Sequence, residues 1–336
     1  MARRKSSRRS KIQPAVMTMA FQTPLNISGS NSYTVDLSQA ASLLNRRFYR
    51  QGINWAVAGF KIFSKDDAVG TIQITKLPNT WVLSNAWEKG FRAWQKMNRE
   101  AMQEADSLRP KFMDFKVFAD AFHAQQGSAA NLLPTDSLSV EYVPGEWDYS
   151  TFEIPSSDAN PANSVTRDII AIGANYAGPG ASGNYSVSLI EGYAASRALP
   201  DIRDPNMPDD ASDASGSIAE NWLSALFNEG TTQAAEVLED LETQNNQSPY
   251  PFEGDGIHTD TMYPGGANQA PNMQLHDRAY VTPTTIGSTN ILKGGNFPCG
   301  LVRFDFSNTE ATTYYIQIDL IPGNHRGYLC EPMTEM

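Results

Sequence analysis

The chain has 336 residues, and its 26 Lys and Arg against 37 Asp and Glu give a formal charge of −11 at pH 7. Hydrophobic residues make up 40% of it, enough to bury a core, but no run of about 18 apolar residues occurs, which excludes a membrane-spanning helix. Two cysteines, Cys299 and Cys330, are too few for a disulfide framework or a closed zinc site, so we interpret them as ordinary buried thiols.

The first segment of the chain opposes this overall charge. Residues 2–11 (ARRKSSRRSK) contain no acidic and no large apolar residue, so we expect residues 1–20 to form a disordered basic arm. Such an arm needs a polyanionic partner, and a nuclear-import signal or a solubilising tail are the alternative interpretations. The predicted nucleic-acid-binding residues are Arg3, Arg4, Lys5, Arg8, Arg9 and Lys11. Removing these six from the 26 basic residues leaves 20 against 37 acids in the remaining chain.

The rest of the chain, residues 21–336, is predicted to be one domain that is mainly β-sheet. Alternating apolar residues bounded by Gly, Pro, Asn and Ser predict strands. In the run 313–321, the side chains of Tyr314, Ile316, Ile318 and Leu320 share one face. The predicted strands are Ile53–Phe63, Val69–Thr75, Phe112–Phe118, Leu138–Val143, Ile169–Ile172, Tyr185–Ile190, Gly300–Phe306 and Thr313–Ile321. This number of strands separated by long loops favours an antiparallel sandwich, jelly roll or barrel.

A few helices are predicted between the strands. The longest runs from about residue 85 to 105, with Asn85 as N-cap, Glu88 as its capping-box partner and an aromatic face of Trp87, Phe91 and Trp94. We interpret that face as core packing, with a subunit contact as the alternative. Two further helices, 217–227 and 232–243, lie within a polar segment, 199–274, which we predict to be a large loop and helix insertion at the surface.

The search for catalytic and cofactor motifs gives little. Residues 178–183 match GxGxxG, but a strand follows them instead of a helix, so a flexible turn explains them better than a phosphate site. The four histidines, at 123, 258, 276 and 325, are far apart in sequence. A polar cluster of Glu253, Asp255, His258 and Asp260 has metal-ligand chemistry without EF-hand spacing, and a solvated loop is the better interpretation. We therefore predict no enzyme activity, no cofactor and no metal.

One pattern resembles a known family. Leu77-Pro78-Asn79-Thr80-Trp81, followed by Trp87, Trp94 and Asp114-Phe115-Lys116-Val117, is similar to a pattern in capsid proteins of small circular single-stranded DNA viruses that encode a replication initiator. The resemblance covers roughly residues 1–125 and includes the basic arm before a strand-rich body. The segment 199–274 matches nothing in it.

The resemblance implies a jelly-roll subunit that assembles with copies of itself into an icosahedral shell. The basic arm would point inward and bind the single-stranded DNA genome through phosphates, without reading its sequence. The implied location is the virion, with passage through the host nucleus left open, and no membrane is involved.

Two other functions remain open from the sequence. A single-stranded nucleic-acid-binding protein that forms no shell would need a basic groove with stacking aromatics in the body. A β-rich carbohydrate-active enzyme would use a pair of carboxylates, and the many acidic residues leave this open. The basic arm would have no role in such an enzyme.

Overall fold

A computed structural model describes residues 14–103, 113–155, 164–175, 186–197, 265–266, 270–284 and 286–336. The helices are α1 (Leu37–Asn45), α2 (Trp81–Gln103), α3 (Ala121–Gln126) and α4 (Leu189–Arg197). The strands are β1 (Thr18–Gln22), β2 (Ile27–Asp36), β3 (Ile53–Phe63), β4 (Gly70–Lys76), β5 (Thr151–Pro155), β6 (Ser164–Ile170), β7 (Ser186–Ser188), β8 (Gln274–Val281), β9 (Thr289–Phe297), β10 (Leu301–Thr312), β11 (Tyr315–Leu320), β12 (Pro322–Gly323), β13 (Gly327–Tyr328) and β14 (Cys330–Pro332).

Two antiparallel sheets form the body. The first has the order β1–β11–β3–β9, with β14 pairing with the beginning of β3, and the second has the order β2–β10–β4–β8. The pairing is nested, because β1 pairs with β11, β2 with β10, β3 with β9 and β4 with β8. Two further pairings, β11 with β3 and β10 with β4, complete the sheets. The chain is thus mainly β and antiparallel, as the alternating pattern predicts.

The main core lies between these two sheets. The predicted inward face of β11 is confirmed, since Tyr314, Ile316, Ile318 and Leu320 are all buried. Rings of the two sheets meet in this core: the ring centroid of Phe306 on β10 lies 4.6 Å from that of Tyr314, and the centroids of Phe60 on β3 and Phe304 on β10 lie 5.8 Å apart. Burial of alternate apolar side chains on both sheets therefore holds the two layers together.

The N-terminal boundary of the body differs from the predicted one. Residues 1–13, with all six predicted nucleic-acid-binding side chains, lie outside the described residues. Strand β1 begins at Thr18, inside the predicted arm of residues 1–20, and pairs with β11. Met19 and Phe21 alternate with exposed neighbours and are fully buried, so this short segment has apolar surface to bury. The boundary is therefore corrected to a point before Thr18.

Most predicted strands overlap observed ones. Ile53–Phe63 coincides with β3, and Val69–Thr75 is shifted by one residue from β4. The C-terminal pair overlaps β10 and β11, and Ile169–Ile172 overlaps the end of β6. The prediction for Tyr185–Ile190 is correct only over Ser186–Ser188, because helix α4 begins at Leu189.

Two predicted strands are wrong in the part of the chain that the structure describes. The segment from Met113 to Val117 is not a strand, and its backbone makes hydrogen bonds with side chains. The Val117 N–H, for example, donates to Gln51 Oε1 at 2.6 Å. In Leu138–Val143 the backbone N–H groups of Leu138 and Val140 both donate to Asp136 Oδ1, at 2.8 and 2.9 Å. Side-chain acceptors thus take the place of ladder partners in both segments, from the distant Gln51 in the first and from the local Asp136 in the second.

The connection between β4 and β8 forms a second packed layer. It contains α2, α3, α4 and a small sheet in which β6 pairs antiparallel with β5 and parallel with β7. The insertion between sandwich strands is therefore longer than the predicted segment 199–274, since it begins after Lys76. Residues 198–264, including both helices predicted there, lie outside the described residues.

Helix α2 begins earlier than predicted. Its first turn is capped by Thr80, whose Oγ1 accepts the Leu83 N–H at 3.3 Å, and the predicted cap Asn85 is inside the helix. The aromatic face packs as predicted, because the rings of Trp87, Phe91 and Trp94 each lie 5.6–5.8 Å from that of Phe115. None of the described helices has the length and apolar character needed to cross a membrane.

Candidate nucleic-acid interface

The described chain enters the body beside the C-terminal end of α1. The Val16 N–H donates to Asn45 Oδ1 at 2.9 Å, and the Tyr328 hydroxyl donates to the Val16 carbonyl at 2.7 Å. Two residues before Val16, the Pro14 carbonyl accepts a hydrogen bond from Arg47 Nη1 at 3.2 Å. These contacts fix the position of Pro14, the first residue that the structure describes.

Four exposed arginines belong to the two segments that adjoin this entry point. Arg46, Arg47 and Arg50 follow α1, and Arg326 comes from the turn between β12 and β13. The Arg326 guanidinium donates to the carbonyl of Phe48, which ties the two segments together. We call Arg46, Arg47, Arg50 and Arg326 the arginine cluster.

The buried side chain of Tyr49 holds the turn that carries Arg326. Its hydroxyl donates to the Arg326 carbonyl at 3.0 Å. Burial raises the pKa of Tyr49, and the positive charges of Arg47 and Arg326 oppose that rise. Burial, together with Arg326, lowers the pKa of the neighbouring His325, so its imidazole is neutral at pH 7 and adds no charge to the cluster.

Two of the arginines occupy a backbone conformation that favours glycine. Arg46 is the C-cap of α1 with φ 52° and ψ 40°, and Arg326 has φ 51°. A side chain in this left-handed region costs roughly 1–2 kcal/mol, and residues there often serve a function. The chain thus keeps long basic side chains at two positions where glycine would be more stable.

Replacing Arg46 with Gly is expected to raise the free energy of unfolding by about 0.5–1 kcal/mol, because the left-handed strain disappears. On the function proposed below, the same change should weaken binding of single-stranded DNA, because it removes one charge that can contact phosphate. Thermal unfolding and a salt-dependent DNA titration measure the two effects. Arg47→Gly is the matched control: it removes the same charge without relieving strain, and stabilisation by both changes would contradict the interpretation.

Helix α1, which precedes three of the four cluster arginines, is held by a buried polar network. Its N-cap Asp36 accepts the N–H groups of Ser38 and Gln39 at 2.9 and 3.3 Å. The same carboxylate accepts from three side chains of neighbouring segments at 3.1–3.3 Å, namely Gln51 Nε2, Trp147 Nε1 and the Tyr149 hydroxyl. Burial raises the pKa of Asp36, and these donors offset part of the cost of burying a carboxylate.

A histidine extends this network towards the second sheet. His123 Nδ1 accepts the Ala119 N–H at 3.1 Å, so the ring proton is on Nε2, which donates to Asn131 Oδ1 at 2.8 Å. Asn131 Nδ2 in turn donates to the Tyr149 hydroxyl at 2.9 Å. Burial lowers the pKa of His123 to about 4. His123 is therefore a neutral structural residue here and not a candidate acid or base.

A second buried carboxylate, Asp114, gives a pH-dependent prediction. Burial raises the pKa of Asp114 to about 7, although Lys116, whose Nζ is 3.9 Å away, opposes the rise. The pKa of Asp114 is therefore higher in the folded state than in the unfolded state. The stability that the protonated carboxyl contributes is fully present below about pH 4 and is lost as the pH rises through about 7.

Asp114→Asn is expected to raise the free energy of unfolding above pH 7 by about 2 kcal/mol, with part of the gain offset because Lys116 loses its partner. Near pH 4 the variant and the original chain should be about equally stable. Urea unfolding at a series of pH values between 4 and 8 measures this, and equal slopes against pH for the two proteins would contradict it.

The structure places the other sequence-predicted residues as follows. The GxGxxG stretch and the cluster of Glu253, Asp255, His258 and Asp260 lie outside the described residues. Among the described residues, no group of His, Cys, Asp and Glu has metal-binding geometry. Both cysteines are free: Cys299 is fully buried, and Cys330 is half-buried with its pKa raised by burial to about 12.

Comparison of the chain with protein-family models, curated proteins and solved structures finds no match. The candidate interface is described by its geometry alone: the described chain begins at Pro14, beside the segments that carry the four arginines and at the end of the first sheet where β1 begins and β11 ends.

Proposed function

We propose that this chain is a viral capsid subunit with a jelly-roll fold, which assembles into an icosahedral shell and packages single-stranded DNA. The nested pairing supports the jelly-roll assignment. With the short β14 left aside, the other eight strands of the two sheets, numbered among themselves, pair first with eighth, second with seventh, third with sixth and fourth with fifth. This is the pairing of one long antiparallel ribbon rolled into two sheets, the arrangement of jelly rolls in viral capsid proteins and in lectins.

The observation that carries the nucleic-acid function is the position of the arginine cluster at the base of the arm. In a chain of charge −11, the segment after α1 and the β12–β13 turn, which carry the four arginines, meet beside Pro14, three residues after the last base of the run 2–11. Guanidinium groups bind phosphate through paired hydrogen bonds, and they carry no information on base identity. Sequence-independent binding of this kind suits packaging of a genome.

A closed shell of identical subunits would bring many basic arms together, and packaged DNA would offset their repulsion. Many copies of the arm enclosed in one shell repel each other, and enclosed phosphate neutralises them. A symmetric shell built from one chain needs no catalytic centre.

The test is electron microscopy of the purified full-length chain, combined with measurement of nuclease-resistant nucleic acid. Uniform closed particles that protect nucleic acid are expected. Soluble monomers that bind single-stranded DNA would instead favour the non-shell alternative, and monomers without DNA affinity would overturn both.

A further inference from the structure

Helix α2 has a basic face that the arm and the arginine cluster do not include. All four basic residues of this helix, Lys89, Arg92, Lys96 and Arg99, follow one another at spacings of three and four, so they share one side. Lys96 and Arg99 are exposed, Lys89 is half-buried, and the exposed Arg92 pairs through Nε with Glu88 Oε1 at 2.6 Å, which leaves its other guanidinium nitrogens facing outward for a ligand. The helix has only two acids, Glu88 and Glu100, which gives it a net charge of +2 (four bases less two acids) in an acidic chain.

Two aromatic rings border the beginning of this face. Trp81 lies on the same side by helical spacing, eight residues before Lys89, and is half-buried. Tyr193 on α4 lies beside it: Lys89 Nζ is 5.9 Å from the centre of its ring, and its hydroxyl accepts from Asn85 Nδ2 at 3.3 Å. Basic side chains next to aromatic rings are the combination with which proteins bind single strands, through phosphate and base stacking.

The opposite side of α2 excludes a membrane as the partner. A basic amphipathic helix on a membrane must insert its apolar face into lipid. Here Trp87, Phe91 and Trp94 pack against Phe115 inside the protein, so no apolar face is left to insert. The basic face is therefore a surface on which a ligand can bind while α2 stays packed in the folded body.

We infer that the basic face of α2, with Trp81 and Tyr193, is a second binding surface for single-stranded DNA. The inference rests on the proposed function, and it specifies where on the folded body the packaged strand lies. Lys89 and Arg99 are ten residues apart, about 15 Å along the helix, so the face can contact several phosphates of an extended strand.

The test uses the full-length chain as unassembled subunits and a fluorescent (dT)20 oligonucleotide, titrated over a series of salt concentrations. The variant carries Lys89→Gln, Arg92→Gln, Lys96→Gln and Arg99→Gln, because Gln is a good helix former. The matched control carries Lys61→Gln, Lys65→Gln, Arg278→Gln and Lys293→Gln, four bases on or next to the sandwich strands. Circular dichroism and the melting temperature show whether each protein folds.

The α2 variant is expected to reduce the slope of log affinity against log salt by up to about 3, at about 0.7 per neutralised phosphate, while the control changes it little. Ultraviolet cross-linking of the unmodified protein to (dT)20 is expected to join thymine to Trp81 or Tyr193, and this readout does not depend on the variant folding.

An unchanged slope in the α2 variant, or cross-links confined to other parts of the chain, would overturn this inference and leave the proposed function intact. An equal loss of affinity for duplex DNA would overturn the assignment to single strands. Failure of the unmodified chain to bind (dT)20 at low salt would instead contradict the proposed function itself.

Discussion

Replacing Arg303 with Met is expected to lower the free energy of unfolding by about 3–5 kcal/mol. Arg303 on β10 donates from Nη1 and Nη2 to the two carboxylate oxygens of Asp120, at 2.7 and 2.5 Å. Both side chains are nearly buried, with exposed fractions of 9% and 12%. Without the guanidinium, the Asp120 carboxylate would stay buried with no cation, and the insertion would lose its charged attachment to the second sheet. Urea unfolding at pH 7 measures the loss.

The matched variants separate the pair from its surroundings. Asp120→Asn keeps the cap on α3, where Asp120 Oδ1 accepts the His123 N–H at 3.0 Å, but leaves Arg303 without an anion. The double variant Arg303→Met with Asp120→Asn has no buried charge, so we expect it to recover most of the loss. Additive losses in the double variant would mean that packing, and not the unpaired charge, accounts for the cost.

Acid should weaken the same contact. Burial acts to raise the pKa of Asp120, but the hydrogen bonds and charge of Arg303 outweigh it, and the pKa lies below its usual value. The folded pKa is therefore lower than the unfolded one, and the stability from this pair is present above the unfolded value of about 4 and lost as pH falls through the folded value.

Strands with a regular apolar period were predictable from the sequence, and strands shaped by close contacts were not. β3 and β11 alternate clearly, and both were found. β9 contains Gly294 and Gly295, which normally argue against a strand. A Cβ on Gly294 would lie 2.1 Å from the Val57 carbonyl oxygen of the paired strand, so only glycine fits. That contact exists only once the two strands pair, and no local pattern reveals it.

The opposite error occurred where an alternating pattern is left uncovered. Leu138, Val140 and Tyr142 suggest a half-buried strand, but they are 81%, 60% and 38% exposed. Period alone indicates that one side is apolar, and it does not indicate whether anything covers that side. The turn held by Asp136 decides the local structure instead.

The candidate interface was partly visible in the sequence. The run RRFYR at residues 46–50 concentrates three of the four cluster arginines. Arg326 could not be assigned to it, because its hydrogen-bond partner Phe48 is 278 residues away in the chain. The basic face of α2 follows from spacing, but its pairing with Tyr193 depends on how α4 packs against α2.

On the proposed function, replacing Arg3, Arg4, Lys5, Arg8, Arg9 and Lys11 with Ala is expected to remove most of the retention of single-stranded DNA while the sandwich stays folded. The sheets keep their pairings without the arm, since the first of them begins at Thr18. Six neutralised phosphates per arm correspond to a slope of log affinity against log salt of roughly −4, and the variant should lose that contribution.

Two matched variants show whether charge alone matters in the arm. Arg3→Lys, Arg4→Lys, Arg8→Lys and Arg9→Lys together keep every charge, so DNA content and slope should change little if the arm acts by neutralisation. Asp at Ser6, Ser7 and Ser10 adds negative charge between the bases and should weaken retention. The measurements are nucleic-acid content per subunit and the salt slope. If the alanine variant packages DNA with the original slope, the arm is not the genome anchor, the arginine cluster and α2 must supply the contacts, and nuclear import becomes the better explanation of residues 2–11.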